Sequence, residues 1–439
     1  MKISVISREE DITLKERIND ISKTHRNLNP ELHPFERARE YTRALNATKL
    51  ERLFAAPFID SLEGHIDGVY SLAKHPTDLT ALLSGSGDGE IRYWNLATKQ
   101  TVWKTTGHQG FVRGMCAVPF GNNFFSVGDD KTVKLWDFKE NKPLNTYAAK
   151  NAFSGIDHHR NKPWFVTSST QIDLWDHERA DPIQALSWGA DTITTVKMNQ
   201  TETSILASTG SDRTIILYDL RTSSPISKVI MEMRSNAISW NPMEAFNFTV
   251  ANENHNCYTF DMRNLKRSIN ILKDHVSAVL DLDYSPTGQE IVTGGYDKTI
   301  RIFNSREGHS RDVYHTKRMQ RIFCVKYSMD SKFVLSGSDD GNIRLWKNNS
   351  NEKIGTKNHR EKASLNYTTA LKERYKHMPE INRISKQRKV PKAIKKAASV
   401  KRIQTESIKR KQENVRKHSK PGSVKRVPLR DQHIITTEK

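Results

Sequence analysis

Three sets of residues carry the side chains of acyl-transfer chemistry. His65, Ser84 and Asp88 form one set, His108, Ser126 and Asp130 a second, and His275, Thr293 and Asp297 a third. A hydroxyl activated by an imidazole, which a carboxylate orients, is the constellation of many hydrolases. Such an enzyme needs one nucleophile beside one base at one site. Here the same trio returns in register along the chain, as a structural part does. Buried together, imidazole, hydroxyl, carboxylate and indole N–H supply matched donors and acceptors and can satisfy one another. The trios therefore read as braces. With their closing indoles they make two full tetrads, His65/Ser84/Asp88/Trp94 and His108/Ser126/Asp130/Trp136. No catalytic residue is assigned, and the chain is not expected to be an enzyme. The run Gly85-Ser-Gly87-Asp-Gly89 fits neither a dinucleotide fingerprint nor a P-loop and reads as a tight turn. Cys116, Cys257 and Cys324 are far apart with no C-x-x-C pair, so neither a zinc site nor a disulfide framework is expected. No cofactor, metal or small-molecule substrate is expected.

The elements that hold these braces repeat. Aromatic residues close successive segments at Trp94, Trp136, Trp175, Tyr218, Phe260, Phe303 and Trp346, at steps of 42, 39, 43, 42, 43 and 43 residues. Six positions before each stands Asp88, Asp130, Ser169, Asp212, Asn254, Asp297 or Asp340. A period of 40–45 residues with a GH…WD signature marks WD40 blades. One blade is a four-stranded antiparallel sheet that cannot bury both faces alone, so seven stack into a β-propeller. Leu72, Met115, Ile156, Val196, Trp240, Leu282 and Val325 read as the inward-packing positions of the innermost strands. Blades three and five lack both the Asp and the Gly-His, and blades four and seven keep the Asp but lose the His, so complete tetrads are not expected there.

Around the ring the spacing predicts an all-β chain with helical flanks. Residues 1–28 read as an extended arm. A helix is predicted over 35–54, opened by Pro34 and stopped by Pro57. Its apolar face of Phe35, Ala38, Tyr41, Leu45, Leu50, Leu53 and Phe54 would pack on the propeller or on a partner. Residues 57–63 are expected to supply the fourth strand of blade seven, which has only three before Trp346. The domains read as 1–56, the arm and helix; 57–348, the propeller; and 349–439, a basic helical extension. Within the extension, helices are predicted over 360–378 and 391–418, with a short piece over 380–390.

The formal charge is +20. Residues 347–430 hold 26 Lys/Arg against 6 Asp/Glu, so the rest of the chain is balanced. Lys386, Arg388, Lys389, Lys392, Lys395, Lys396, Lys401, Arg402, Lys409, Arg410, Lys411, Arg416, Lys417 and Lys420 make a cationic rod. Its apolar stripe, Ile394, Ala397, Ala398 and Ile403, is too thin to form a core. Polyanions suit such a rod, because phosphate contacts release counterions. With no aromatic ladder interleaved, backbone and shape recognition of duplex or folded RNA is the expected mode. Nuclear import through Lys409-Arg-Lys411, Arg416-Lys417 and Lys425-Arg426 is a rival reading. An anionic membrane surface is the weakest, because that stripe is too thin for stable insertion. No segment approaches the length of a membrane helix, and no secretory signal opens the chain.

Asn29-Pro-Glu-Leu-His-Pro-Phe-Glu-Arg-Ala-Arg-Glu-Tyr41 and Arg43-Ala-Leu-Asn-Ala-Thr-Lys-Leu-Glu-Arg-Leu-Phe54 resemble the Sof family of WD-repeat proteins. Arg360-Glu-Lys-Ala363, Tyr367, Leu371-Lys-Glu373, Ile384, Pro391-Lys392 and Lys417-His-Ser-Lys-Pro-Gly422 resemble that family's C-terminal domain. The resemblance implies a scaffold of the small-subunit processome in the nucleus and nucleolus. It implies association with processome proteins, U3 small nucleolar RNA and pre-rRNA, and support of pre-18S processing. A second class of function stays open. Tyr218-Asp-Leu-Arg221 and Phe260-Asp-Met-Arg263 resemble the D-x-R ending by which some propellers dock on the adaptor of cullin-4 ubiquitin ligases. That makes Asp219, Arg221, Asp261 and Arg263 candidates, although the motif prefers Trp where Tyr218 and Phe260 stand. The plain alternative is that Arg221 and Arg263 end strands.

Overall fold

The structure is a computed structural model that describes residues 29–438 apart from Ala190 and Ser223. The arm expected over 1–28 lies outside the described residues. Two units emerge: Met1–Pro57 with Asn349–Lys389, and Phe58–Asn348 with Val390–Lys439. Over 349–439 the chain contributes to both units, Asn349–Lys389 to one and Val390 onward to the other.

The larger unit is a seven-bladed β-propeller. Among the described residues the strands form seven antiparallel sheets, each with four strands in chain order except two. In blade seven the strand Phe58–Leu62 pairs with Ile343–Lys347, setting Phe58 opposite Trp346 and Leu62 opposite Ile343. The two ends of the ring are tied there and an edge is removed. Blade four has a fifth strand, Ile434–Glu438, on the outside of Ser224–Met231.

Burial follows the repeat. All seven closing aromatics are at most 2% exposed. The inward positions are also buried, with one correction of register. In blade five Ile238, not Trp240, pairs with Val250 as Leu72 pairs with Ser84 and Val196 with Ser208. Strand side chains alternate faces, so a residue two places along shares the buried side and mimics the repeat. Trp240 instead donates from Nε1 to the Lys197 carbonyl of blade four, at 3.0 Å.

The turn before each third strand recurs as well. Its second residue has positive φ in six blades: Gly89, Lys131, Arg213, His255, Lys298 and Gly341. At Gly89 a Cβ would lie 2.0 Å from the His108 carbonyl oxygen, so only glycine fits. Blade three lacks this turn. There Ser169 N–H bonds to the Gln171 carbonyl at 2.9 Å, which shortens the loop and accounts for the short step before Trp175.

The smaller unit is helical. Its helices are α1 (Glu36–Leu53), α2 (His359–Arg374) and α3 (Pro379–Ser385). The first starts two residues after Pro34, with Phe35 at positive φ as its N-cap. Within this unit α1 packs on α2 and α3. Ala44 meets Leu371 and Ile381, with Tyr41, Leu45, Tyr367 and Tyr375 around them. Polar pairs finish the joint: Arg374–Glu40 at 3.2 Å, Lys372–Glu51 at 2.7 Å and Arg43–Tyr367 at 2.8 Å. Helices of this length are marginal alone, so tertiary contact is what orders them. Phe35, Leu50, Leu53 and Phe54 remain exposed, so only part of the expected apolar face is used.

Candidate binding surfaces

The braces come first, because they decide between chemistry and architecture. In blade two the tetrad is complete. His108 Nδ1 is 3.0 Å from Asp130, His108 Nε2 is 2.7 Å from Ser126 Oγ, and Trp136 Nε1 donates to that oxygen at 2.9 Å. One chain of donors follows: indole to hydroxyl, hydroxyl to imidazole, imidazole to carboxylate. Ser126 is fully buried and its hydroxyl is used in both directions, so no nucleophile faces a substrate. Burial holds the His108 imidazole below its ordinary pKa, and Asp130 only partly offsets this. Blade six repeats the geometry with Thr293 at 2.7 Å and Asp297 at 3.0 Å from His275. Despite its burial, the Asp297 carboxyl is held far below the usual range by His275 and by Thr299.

Blade one departs from expectation. His65 Nε2 is 2.6 Å from Ser84 Oγ, and Trp94 donates to Ser84 at 2.8 Å, but Asp88 does not join them. It takes the Ser86 hydroxyl instead. Glu90, paired with Arg92 at 3.0 Å, is the carboxylate nearest His65, 3.4 Å from Nδ1. Burial and the Arg92 charge push the His65 imidazole down to about 3. The reason lies two residues beyond the Asp. Thr132 and Thr299 each bond the preceding Asp through hydroxyl and backbone N–H, at 2.7–3.2 Å, and so aim it at the His. Blade one has Glu90 in that place. These threonines were the missed part of the signal, legible as D-x-T in blades two, four and six.

The three cysteines are buried and free, and burial pushes their thiols up, away from reactivity.

The D-x-R turns lie at the opposite end of their blades from the turns that open the third strands, since Asp212 and Asp219 bracket the same strand, Thr214–Asp219. Asp219 and Asp261 occupy matching ends of third strands in adjacent blades. Arg221 pairs with Asp219 at 3.1 Å and Arg263 with Asp261 at 2.7 Å. Hydrogen bonds from each Arg hold its Asp carboxyl below the usual range. Both guanidinium groups stay mostly exposed, at 74% and 64%, so the pairing orients them without covering them. Arg263 also lies 4.4 Å over the Phe246 ring.

The cationic candidates fall into three groups. Lys386, Arg388 and Lys389 belong to the smaller unit. The others lie in or just beyond α4 (Lys392–His418) of the propeller unit, a helix with no buried residue. At about 100° per residue, Lys392, Lys395, Lys396, Arg402, Lys409, Arg410, Lys417 and Lys420 gather on one side. Lys411 and Arg416 flank that side. Lys401 is on the other side, in line with Ile394 and Ile408, and its ammonium donates to the His275 carbonyl at 3.0 Å. Partial desolvation against blade six lowers its pKa despite nearby Asp274. Lys401 is thus an anchor on blade six, apart from the cationic side.

Residues 430–438 were not anticipated. The β-branched run Ile434-Ile-Thr-Thr437 was the available signal. His433 is 3% exposed and stacks on Tyr258 at 3.8 Å, before the chain pairs with blade four.

Comparison with known proteins agrees with this architecture. The WD domain, G-beta repeat model matches 57–95, 99–137, 266–304 and 307–347, which are blades one, two, six and seven. The Sof1-like domain model matches 348–434. The chain is similar to Protein SOF1 of Saccharomyces cerevisiae, 53% identical over 96% of this chain and 92% of that one. It is 51% identical to the DDB1- and CUL4-associated factor 13 of Homo sapiens, with full coverage of both. The Danio rerio protein of that name is 49% identical over 99% of each. The chain belongs to the Sof1-like family of WD-repeat proteins.

Proposed function

We propose that this chain is a non-catalytic scaffold of the nucleolar small-subunit processome. Its propeller would hold processome proteins, and α4 would hold pre-rRNA or U3 small nucleolar RNA, in support of pre-18S processing. One observation carries the reading. Among the described residues the repeated His–hydroxyl–carboxylate groups of blades two and six are consumed as internal braces, whereas α4 turns to solvent a dense cationic side that Glu406, paired with Arg402, and Glu413 offset only in part. Such a surface gains affinity for phosphates by counterion release. Among the described residues no helix is long and apolar enough to cross a membrane. The test is crosslinking of RNA to this chain in purified particles. Enrichment of pre-18S and U3 sequences is expected, and a random RNA profile would sink the RNA reading.

A second reading rests on a separate observation. Arg221 and Arg263 stand exposed, each oriented by an Asp, in adjacent blades. Relatives carry a name that associates them with DDB1 and CUL4. In this reading the two turns dock the chain on a cullin-4 ligase adaptor. A pull-down of the adaptor with wild-type chain but not with Arg221→Ala/Arg263→Ala would support it, and equal recovery would remove it.

A further inference from the structure

The end of the chain is seated on the ring more firmly than the helix that precedes it. Ile434–Glu438 adds an antiparallel strand to Ser224–Met231 of blade four, with Met231 opposite Ile434, Ile230 opposite Thr436 and Lys228 opposite Glu438. Glu232 N–H donates to the His433 carbonyl at 2.9 Å. The His433 ring lies flat on Tyr258 of blade five, 3.8 Å away and 14° from parallel, with Phe260 at 5.9 Å. Ile434 packs against the apolar cluster that blades four and five share. Ser268 holds the Arg430 carbonyl through its hydroxyl at 3.0 Å and its N–H at 3.3 Å, and Arg267 pairs with Asp431 at 3.5 Å. Backbone, ring stack, apolar contact and ion pair thus all converge on residues 430–438, across two blades.

Upstream, α4 is secured differently. It buries no residue, and Val400, Ile403, Ile408 and Val415 are each more than half exposed. Its first turn carries Lys392, Lys395 and Lys396 with no acidic residue, so like charges repel there and oppose the helix dipole, and Glu406 and Glu413 offset the cations only farther along. A helix without a packed face owes little of its stability to itself. Two points fix it to the ring. Lys401 donates to His275 of blade six, and past the linker 419–429 the seated end grips blades four and five.

We propose that residues 430–438 are a strap that positions α4. Seated across blades four and five, the strap limits the attitudes open to the helix, so its cationic side is presented before RNA arrives. His433, Ile434 and Thr436 are positioning residues in this scheme and touch no RNA. The proposal rests on the RNA reading above. Ordering a binding element in advance removes part of the entropy that binding would otherwise cost.

The experiment compares the full chain with a version lacking residues 431–439, with His433→Ala, and with His433→Phe, which keeps a flat ring on Tyr258. Amide exchange along α4 is measured first, without RNA. Exchange at least about tenfold faster is expected in the first two variants and near-wild-type exchange in His433→Phe. Affinity for a short RNA duplex is then measured across a salt series. If the competent population falls to about a fifth, affinity falls about fivefold, while the salt slope stays unchanged because the same phosphates are met. Should the deletion also lower the unfolding temperature of the ring, His433→Ala leaves the strand pairing in place and carries the comparison. Unchanged α4 exchange in both variants would overturn the proposal, as would faster exchange with undiminished affinity. If wild-type chain shows no salt-dependent RNA binding, the RNA reading fails, and the exchange data still decide whether the strap orders α4.

Discussion

Blade two and α4 are ordered for opposite reasons. In blade two Phe124, Phe125, Val127, Val133 and Trp136 are at most 1% exposed, and the polar groups among them pair with one another. In α4 nothing is buried. A blade is specified by what it hides with its neighbours, whereas α4 is specified by its ends and by what it turns outward. Truncation separates the two most sharply. Trp136→Ala is expected to cost about 3–5 kcal/mol, because removing a large buried ring leaves a cavity and takes from the Ser126 oxygen the indole donor, although its bond to His108 remains. Ile403→Ala in α4, at 58% exposure, is expected to stay within about 0.5 kcal/mol. Denaturant titration of the two variants checks both. A large loss at Ile403 would mean that α4 has a packed face after all.

The same contrast explains what was legible in sequence. The seven blades could be read because each repeats its buried aromatic and, in most, its turn Asp, which sterics and hydrogen bonding demand blade after blade. Trp240 was misread as an inward position because period-two alternation buries Ile238 and Trp240 alike. Asp88 was misread because a turn Asp can serve its own turn as easily as a His, and the deciding residue, Thr or Glu90, sits two places on. The extension was harder. Its helices could be placed, but an apolar stripe does not say which surface it meets, so the packing of α1 on α2 and α3 was hidden. The strand Ile434–Glu438 lies outside the repeat, and only the open edge of blade four gives it a place.

Charge provides the next largest effect. Replacing Lys395, Arg402, Lys409, Arg410 and Lys417 of α4 by Gln removes five of the eight cations gathered on one side and no buried contact. RNA affinity should then fall, with the log–log salt slope shrinking by about 0.7–0.9 for each phosphate no longer met. The unfolding transition of the ring should not move. Replacement of Lys401 is different in kind, because it breaks the bond to His275: Lys401→Gln should loosen α4 with little change in slope. Equal slope changes at both places would erase the distinction between anchor and contact.

Smaller still is the effect of Arg221→Ala/Arg263→Ala on stability. Exposed Arg–Asp pairs of this kind are screened by solvent and contribute little to folding, so the ring should keep its unfolding midpoint. Adaptor recovery, by contrast, should respond fully if those turns are a docking surface. A large loss of stability would show that the turns are structural and would weaken the docking reading.

The gentlest perturbation is acid, and it acts on the two regions unequally. Burial pushes the His433 imidazole down to about 4, although Asp431 and the Leu429 carbonyl favour its charged form. The aromatic faces of Tyr258 and Phe260 pack against it. Released to water, the ring would regain a pKa near 6.5. The open strap therefore binds more protons than the seated one between about pH 6.5 and pH 4, so seating is fully favoured above that window and weakens as pH falls through it. In the ring, His65 and His158 are also held down, to about 3 and about 4, and their burial loses stability in the same direction. The difference is one of scale. Protonating them requires a blade to open, whereas protonating His433 requires only the terminal strand to lift. Amide exchange of Ile434–Glu438 should accelerate between pH 6.5 and pH 5 after correction for the intrinsic pH dependence of exchange, while the third strands of blades one and three stay protected. His433→Phe should flatten that response. Parallel loss of protection in blade and strap would mean that they open as one cooperative unit, and the division between a self-specified ring and a tethered helix would have to be withdrawn.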